Sequence, residues 1–146
     1  LTLPTRTLPE APDADEHAAQ LISFTRHGFP EMAASIATAI RRHGRGYAFE
    51  ILRKLALPIV IYYQTMDERP LSPYEFAPGS AEHFAYGYVA ALLAGDEDAG
   101  VYYVDEFRGS CESELERAMS LMTSAASHCL NILALIQDVE SSIRPF

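Results

Sequence analysis

The residues able to do chemistry in this 146-residue chain are scattered rather than clustered. Five histidines stand at His17, His27, His43, His83 and His128, and two cysteines at Cys111 and Cys129. The spacings that hold a metal on a helix or a knuckle (His-Glu-x-x-His, Glu-x-x-His, Cys-x-x-Cys) do not occur. Neither a glycine-rich phosphate loop nor a Gly-x-Ser-x-Gly nucleophile elbow is present. No metal and no cofactor is therefore expected. Glu112, Glu114 and Glu116 do crowd together. Helical metal-dependent nucleotide hydrolases use carboxylates one turn apart on two facing helices. Glu112 and Glu116 supply one such pair, but no second pair can be assigned. The same carboxylates complement the positive end of a helix dipole, and Ser113 with Glu116 fits a capping box.

Two other regions concentrate polar groups. The first is rich in aromatics: Tyr62, Tyr63, Tyr74, Phe76, Phe84, Tyr86 and Tyr88, with Glu82 and His83 among them. Tyrosine joins an apolar ring to a polar tip, which suits a binding wall. A small enzyme is one reading, with a pocket near Glu82, His83 and Tyr86 and with Glu82 or His83 as its acid or base. A packed core edged by tyrosines competes with it. The second region is basic: Arg41, Arg42 and Arg45, then Arg53 and Lys54. Two helices meeting at a glycine corner beside arginines are compatible with a helix-turn-helix-like DNA-binding regulator over residues 41–54. Within it, Arg45-Gly-Tyr-Ala-Phe-Glu-Ile-Leu-Arg-Lys-Leu55 resembles the glycine-tyrosine helix start of some winged-helix repressors, although no wing hairpin follows. No function is carried across from that short stretch. Cations near a helix C-terminus also stabilise the helix without any ligand.

Nucleic acid is not expected as a partner, although the charge is unevenly spread. The net charge is −9, and it is polarised. Residues 1–56 carry +1, whereas residues 57–146 carry −10. A uniformly acidic surface would repel polyanions and anionic lipid; this chain instead sets a small basic segment against a strongly acidic remainder. Two cysteines cannot build a disulfide scaffold, and free, buried thiols in a reducing cytoplasm are expected. The apolar run from Leu55 to Tyr63 is too short to span a bilayer. No basic start leading into an apolar run marks a signal peptide. No membrane role is expected.

The elements that must position these groups are helical. Residues 1–12 repeat Thr-Leu-Pro and read as an extended N-terminal arm, because proline fixes φ and removes donors. Residues 13–146 read as a single helical domain. Asp13 caps a first helix that Gly28 ends, and Pro30 opens a second that closes at Gly44 and Gly46. From Ala48 to Met66 apolar residues recur at helical spacing through Pro58. Ile59–Tyr63 also has strand propensity, so a short strand at 59–63 is an alternative to a kinked helix. Ser80 caps a fourth helix ending before Gly95, and residues 101–107 are ambiguous between helix and strand. The strongest pattern lies at about 110–142. Cys111, Leu115, Ala118, Met122, Ala125, Cys129, Ile132, Ile136, Val139 and Ile143 form an uncharged heptad seam, expected to be buried.

The expected fold is all-α, a five- or six-helix bundle around a long C-terminal helix. The expected role is non-enzymatic: a small acidic protein–protein interaction module, cytoplasmic and homo-oligomeric. Regulatory, inhibitor, immunity and assembly roles all share this profile.

Overall fold

The computed structural model describes residues 13–143, with side chains placed as far as Val139. The arm expected at residues 1–12 lies outside the described residues. Six α-helices follow one another: α1 Ala14–Arg26, α2 Pro30–Arg42, α3 Arg45–Met66, α4 Ala81–Ala94, α5 Glu97–Arg108 and α6 Glu112–Ile143. A single 3₁₀ turn at Pro73–Glu75 interrupts the long α3–α4 connection. The fold is all-α, with no strand among the described residues.

The boundaries follow local chemistry. Asp13 accepts from the Asp15 amide, Ser80 from His83 and Asp96 from Ala99, so three helices begin on a side-chain cap. Pro30 occupies the first turn of α2, where its missing N–H costs nothing. Gly95 ends α4 at φ 67°, a left-handed conformation that a Cβ would oppose.

Two ambiguous stretches resolve as helix. Residues 59–63 continue α3 straight through Pro58, so the strand alternative fails. Ile51, Leu52, Leu55, Ala56, Ile59 and Val60 are all buried, at the period of a helix with one core-facing side. Packing on α4 and α6 outweighs the β-propensity of the Ile-Val-Ile run. Pro58 sits on the half-exposed side, where water can reach the carbonyl its missing N–H leaves free. Residues 101–107 lie in α5, which buries Gly100, Tyr103 and Phe107 along one stripe.

α6 is the axis of the bundle, with α1, α3 and α4 laid against it. Its buried residues run from Leu115 to Cys129. Beyond that the expected seam opens: Ile132 and Ile136 are half-buried, and Val139 is exposed. The heptad pattern is continuous, but the covering helices end sooner. Arg26, the last residue of α1, donates to Asn131 at 2.9 Å. At 32 residues α6 is ~48 Å long, so its final turns overhang its neighbours.

The same core continues between α3, α4 and α5. Phe84 stacks on Phe107 with ring centroids 4.6 Å apart and on Tyr88 at 5.5 Å, while Phe49 meets Phe84 edge-on at 6.2 Å. The Tyr103 ring lies flat against the α4 backbone at Gly87, where any Cβ would collide with it.

Candidate functional site

The basic corner folds inward on its own chain. Arg41 of α2 pairs with Glu116 of α6. The Arg45 guanidinium donates to the carbonyls of Arg108 at 3.0 Å and Ser110 at 2.7 Å, with Glu112 at 3.8 Å. It thereby caps the end of α5 and ties the α5–α6 turn to the start of α3. Arg53 meets Glu50 within α3 at 3.4 Å, and Lys54 meets Asp15 of α1 at 2.9 Å. That hydrogen bond to Asp15, with the carboxylate charge behind it, raises the Lys54 ammonium above its ordinary value. Arg42 is exposed. Four of the five cations are thus engaged in interhelical or local pairing. Arg45→Ala should lower the unfolding free energy by about 1–2 kcal/mol, measured by urea denaturation, because two carbonyls lose a charged donor. No change would show that the α5–α6 turn is held without it.

Glu82 and Tyr86, one turn apart, share a side of α4, and His83 lies about 100° round from Glu82. Glu82 pairs with Arg117 of α6, which Glu114 also holds at 2.7 Å. Tyr86 stacks on Phe76 with centroids 5.1 Å apart. His83 is buried, 3% exposed, and both its ring nitrogens are engaged. Nδ1 lies 2.8 Å from the Pro73 carbonyl oxygen and Nε2 lies 3.0 Å from Glu106 Oε1. The other Glu106 oxygen accepts from the Tyr102 hydroxyl at 2.7 Å. Acceptor oxygens face both nitrogens. Burial, and then a hydrogen bond with Tyr74, holds the Tyr103 hydroxyl above its ordinary range. This cluster fastens the 3₁₀ turn to α4 and α5. His83 is almost wholly buried, and both its nitrogens are engaged within the chain.

The cysteines differ from each other. Cys129 is buried, and burial pushes its thiol up. Cys111 is exposed, against the expectation that both are buried, because it precedes α6 rather than lying in its packed seam. The Ser113 hydroxyl, at 3.1 Å, and the Glu114 backbone lower its thiol. No grouping of histidine, cysteine and carboxylate able to hold a metal ion occurs among the described residues.

Two clefts remain. One of about 630 Å³ lies among α3, α4 and α5, where Arg53 and Arg108 balance Asp96, Glu97 and Asp105. The other, about 560 Å³, is a groove between α2 and α6 floored by Leu21 of α1. Small side chains line it: Ala33, Ala34 and Ala37 from α2, Ser120, Thr123 and Ser124 from α6. Arg41 and Glu116 close one end and Gly28 lies at the other. Just past that end α6 projects, with Leu135 64% and Val139 59% exposed. Phe29 and Met32 at the α1–α2 corner are also exposed. Sequence reasoning found neither the groove nor the Glu106 partner of His83, since both depend on how separate helices meet. The apolar spacing that continues past Cys129 was the one available signal for the overhang.

Comparison with protein-family models, with curated proteins and with solved structures finds no match for this chain.

Proposed function

We propose that this protein is a non-enzymatic protein–protein interaction module that acts as a homo-oligomer. The observation that carries the reading is the last third of α6. Its large apolar residues stand in solvent beyond the reach of α1, beside an unfilled apolar groove. An exposed apolar helix face of this kind marks an association surface. The engaged state of Arg41, Arg45, Arg53 and Lys54 speaks for this reading over a nucleic-acid one. The engagement of Glu82 by Arg117, and of His83 by Pro73 and Glu106, speaks for it over a catalytic one. α6 from Glu112 to Val139 is also long and apolar enough to cross a membrane by length and composition. Its first half, however, forms the core against three other helices, which fits a packed helix better than a lipid-facing one.

Sedimentation equilibrium at micromolar concentration tests the reading. The expected mass is a multiple of the 16.1 kDa chain, falling toward one chain on dilution. A single-chain mass at every concentration would overturn it.

A further inference from the structure

We propose that the cleft among α3, α4 and α5 binds a small zwitterion, with the chemistry and length of a tripeptide whose termini are free. The site is separate from the α6 surface and does not depend on self-association.

The argument begins with a buried polar group that opens on this cleft. Tyr88 of α4 is 6% exposed, and its ring stacks on Phe84 with centroids 5.5 Å apart. Its hydroxyl has no hydrogen-bond partner among the described residues. A tyrosine buried to this extent ordinarily has one. No side-chain oxygen among the described residues is both unpartnered and sealed off, so the hydroxyl reaches free space. The cleft is the space that Tyr88 lines. Gly100 of α5 lies against the edge of the same ring. The nearest neighbouring atom to a Cβ built there is Tyr88 Cε1 at 3.8 Å, an ordinary contact. Packing therefore does not demand glycine, which weakens a helix interior. Its missing side chain leaves room beside the ring.

The charges are laid out along the cleft. On α5, Glu97, Val101, Val104 and Arg108 line it at spacings of 4, 3 and 4. They share one face, with an acid at one end, a base at the other and apolar side chains between. Glu97 and Arg108 are ~16 Å apart along the helix axis. Asp96, at the turn from α4 to α5, adds a carboxylate beside Glu97, and one of its oxygens caps Ala99 at 3.0 Å. Arg53 lines the cleft from α3, and Asp105 lines it one turn before Arg108. Arg53 meets Glu50 at 3.4 Å. Glu97, Asp105 and Arg108 make no ion pair among the described residues, although Asp105 and Arg108 stand on one helix.

This layout selects the ligand. Three carboxylates against two guanidiniums disfavour a molecule that is only an anion. A molecule that is only a cation leaves Arg108 and the Tyr88 hydroxyl unused. A zwitterion uses both ends, its ammonium toward Asp96 and Glu97 and its carboxylate toward Arg108. Arg53 and the Tyr88 O–H are the further donors in the cleft. Three extended residues span about 10 Å, which fits between side chains reaching in from the two ends. The cleft volume of about 630 Å³ lies within the range of small-molecule sites. Leu92, Val101 and Val104 offer an apolar wall to the middle side chain.

The probe is the tripeptide Ala-Leu-Ala, titrated into the full chain and followed by the amide resonances of Gly100, Val101 and Val104. Saturable shifts are expected. N-acetylation removes the ammonium and C-amidation removes the carboxylate. Each should weaken binding about tenfold, the loss expected of one charge-assisted contact. Tyr88→Phe deletes a hydroxyl with no partner among the described residues, so the urea midpoint should hold while affinity falls about fivefold. Arg108→Gln should weaken Ala-Leu-Ala and leave the C-amidated tripeptide as it was, because that form has no carboxylate to lose. No saturable shift at millimolar tripeptide overturns the site. Equal affinity for the acetylated or the amidated tripeptide shows that one charge suffices and overturns the zwitterion. Undiminished binding by both Tyr88→Phe and Arg108→Gln places the tripeptide elsewhere and overturns the proposal as well. None of these outcomes alters the oligomer mass, so the association reading stands or falls separately.

Discussion

Phe84→Ala should lower the unfolding free energy by about 3–5 kcal/mol, the range for truncating a fully buried aromatic. Phe84 is 1% exposed and touches rings on three helices: Phe49 of α3, Tyr88 of α4 and Phe107 of α5. Removing it leaves a hole that those rings cannot close, because each is fixed by its own helix. Stacked and edge-on pairs add to the loss beyond the buried area. Urea denaturation followed by circular dichroism should show a lower midpoint with little change in slope, as expected when stability rather than compactness changes. A loss below about 1 kcal/mol would mean that α5 does not pack on α3 and α4 as described. Tyr74→Ala is the contrasting case: Tyr74 is 83% exposed, so its ring buries little apolar surface.

The helices were legible because their signals are local. Asp13, Ser80 and Gly95 are read correctly from residue type alone, since a cap needs only a short side chain or a left-handed φ at one position. α6 was legible because ten apolar positions repeat without a charge. How far its burial extends was not legible. The seam from Leu115 to Val139 is uniform in sequence, but α1 stops at Arg26 and covers α6 only to Asn131. Residues 59–63 show the same limit from the other side. Their branched side chains favour a strand, and only the packing of Ile59 and Val60 against neighbouring helices decides for α3.

The groups that could do chemistry were less legible than the helices. Arg41 to Lys54 form a cluster in sequence but disperse in space. Successive positions on α2 and α3 face different neighbours, and each of those neighbours offers an acceptor. Glu82 and His83 are adjacent in sequence, and on a helix adjacent side chains diverge by about 100°. One reaches α6 and the other α5. Glu106 lies far from His83 along the chain, and no spacing rule connects them. The groove depends on how closely α2 approaches α6, which no single-helix pattern records. What the alanines of α2 and the serines of α6 had in common was small size, a property that becomes a cavity only when two faces meet.

Replacing His83 by leucine should cost about 2–4 kcal/mol, although the volume is nearly kept. The loss comes from the groups left behind. The Pro73 carbonyl and Glu106 Oε1 both lose their His83 partner in a place that solvent barely reaches. Glu106 is three-quarters buried, so its carboxylate suffers most; the Tyr102 hydroxyl on its other oxygen is then the partner that remains. A double-mutant cycle separates this account from simple misfit of leucine. If the unpaired carboxylate causes the loss, His83→Leu with Glu106→Leu should be more stable than His83→Leu alone by about 1 kcal/mol or more, since removing both members of a buried pair is often close to neutral. Misfit at position 83 would instead make the two losses add. The location of the damage is a second readout. The amide of Phe76 bonds to Pro73 and that of Glu75 bonds to Ser72, so both should exchange with solvent faster once His83 no longer holds the turn. The amides of α6 should slow or quicken only with global stability. Unchanged exchange at Glu75 and Phe76, together with additive losses in the cycle, would show that the 3₁₀ turn is held by its own backbone and that the His83–Glu106 pair contributes little to it.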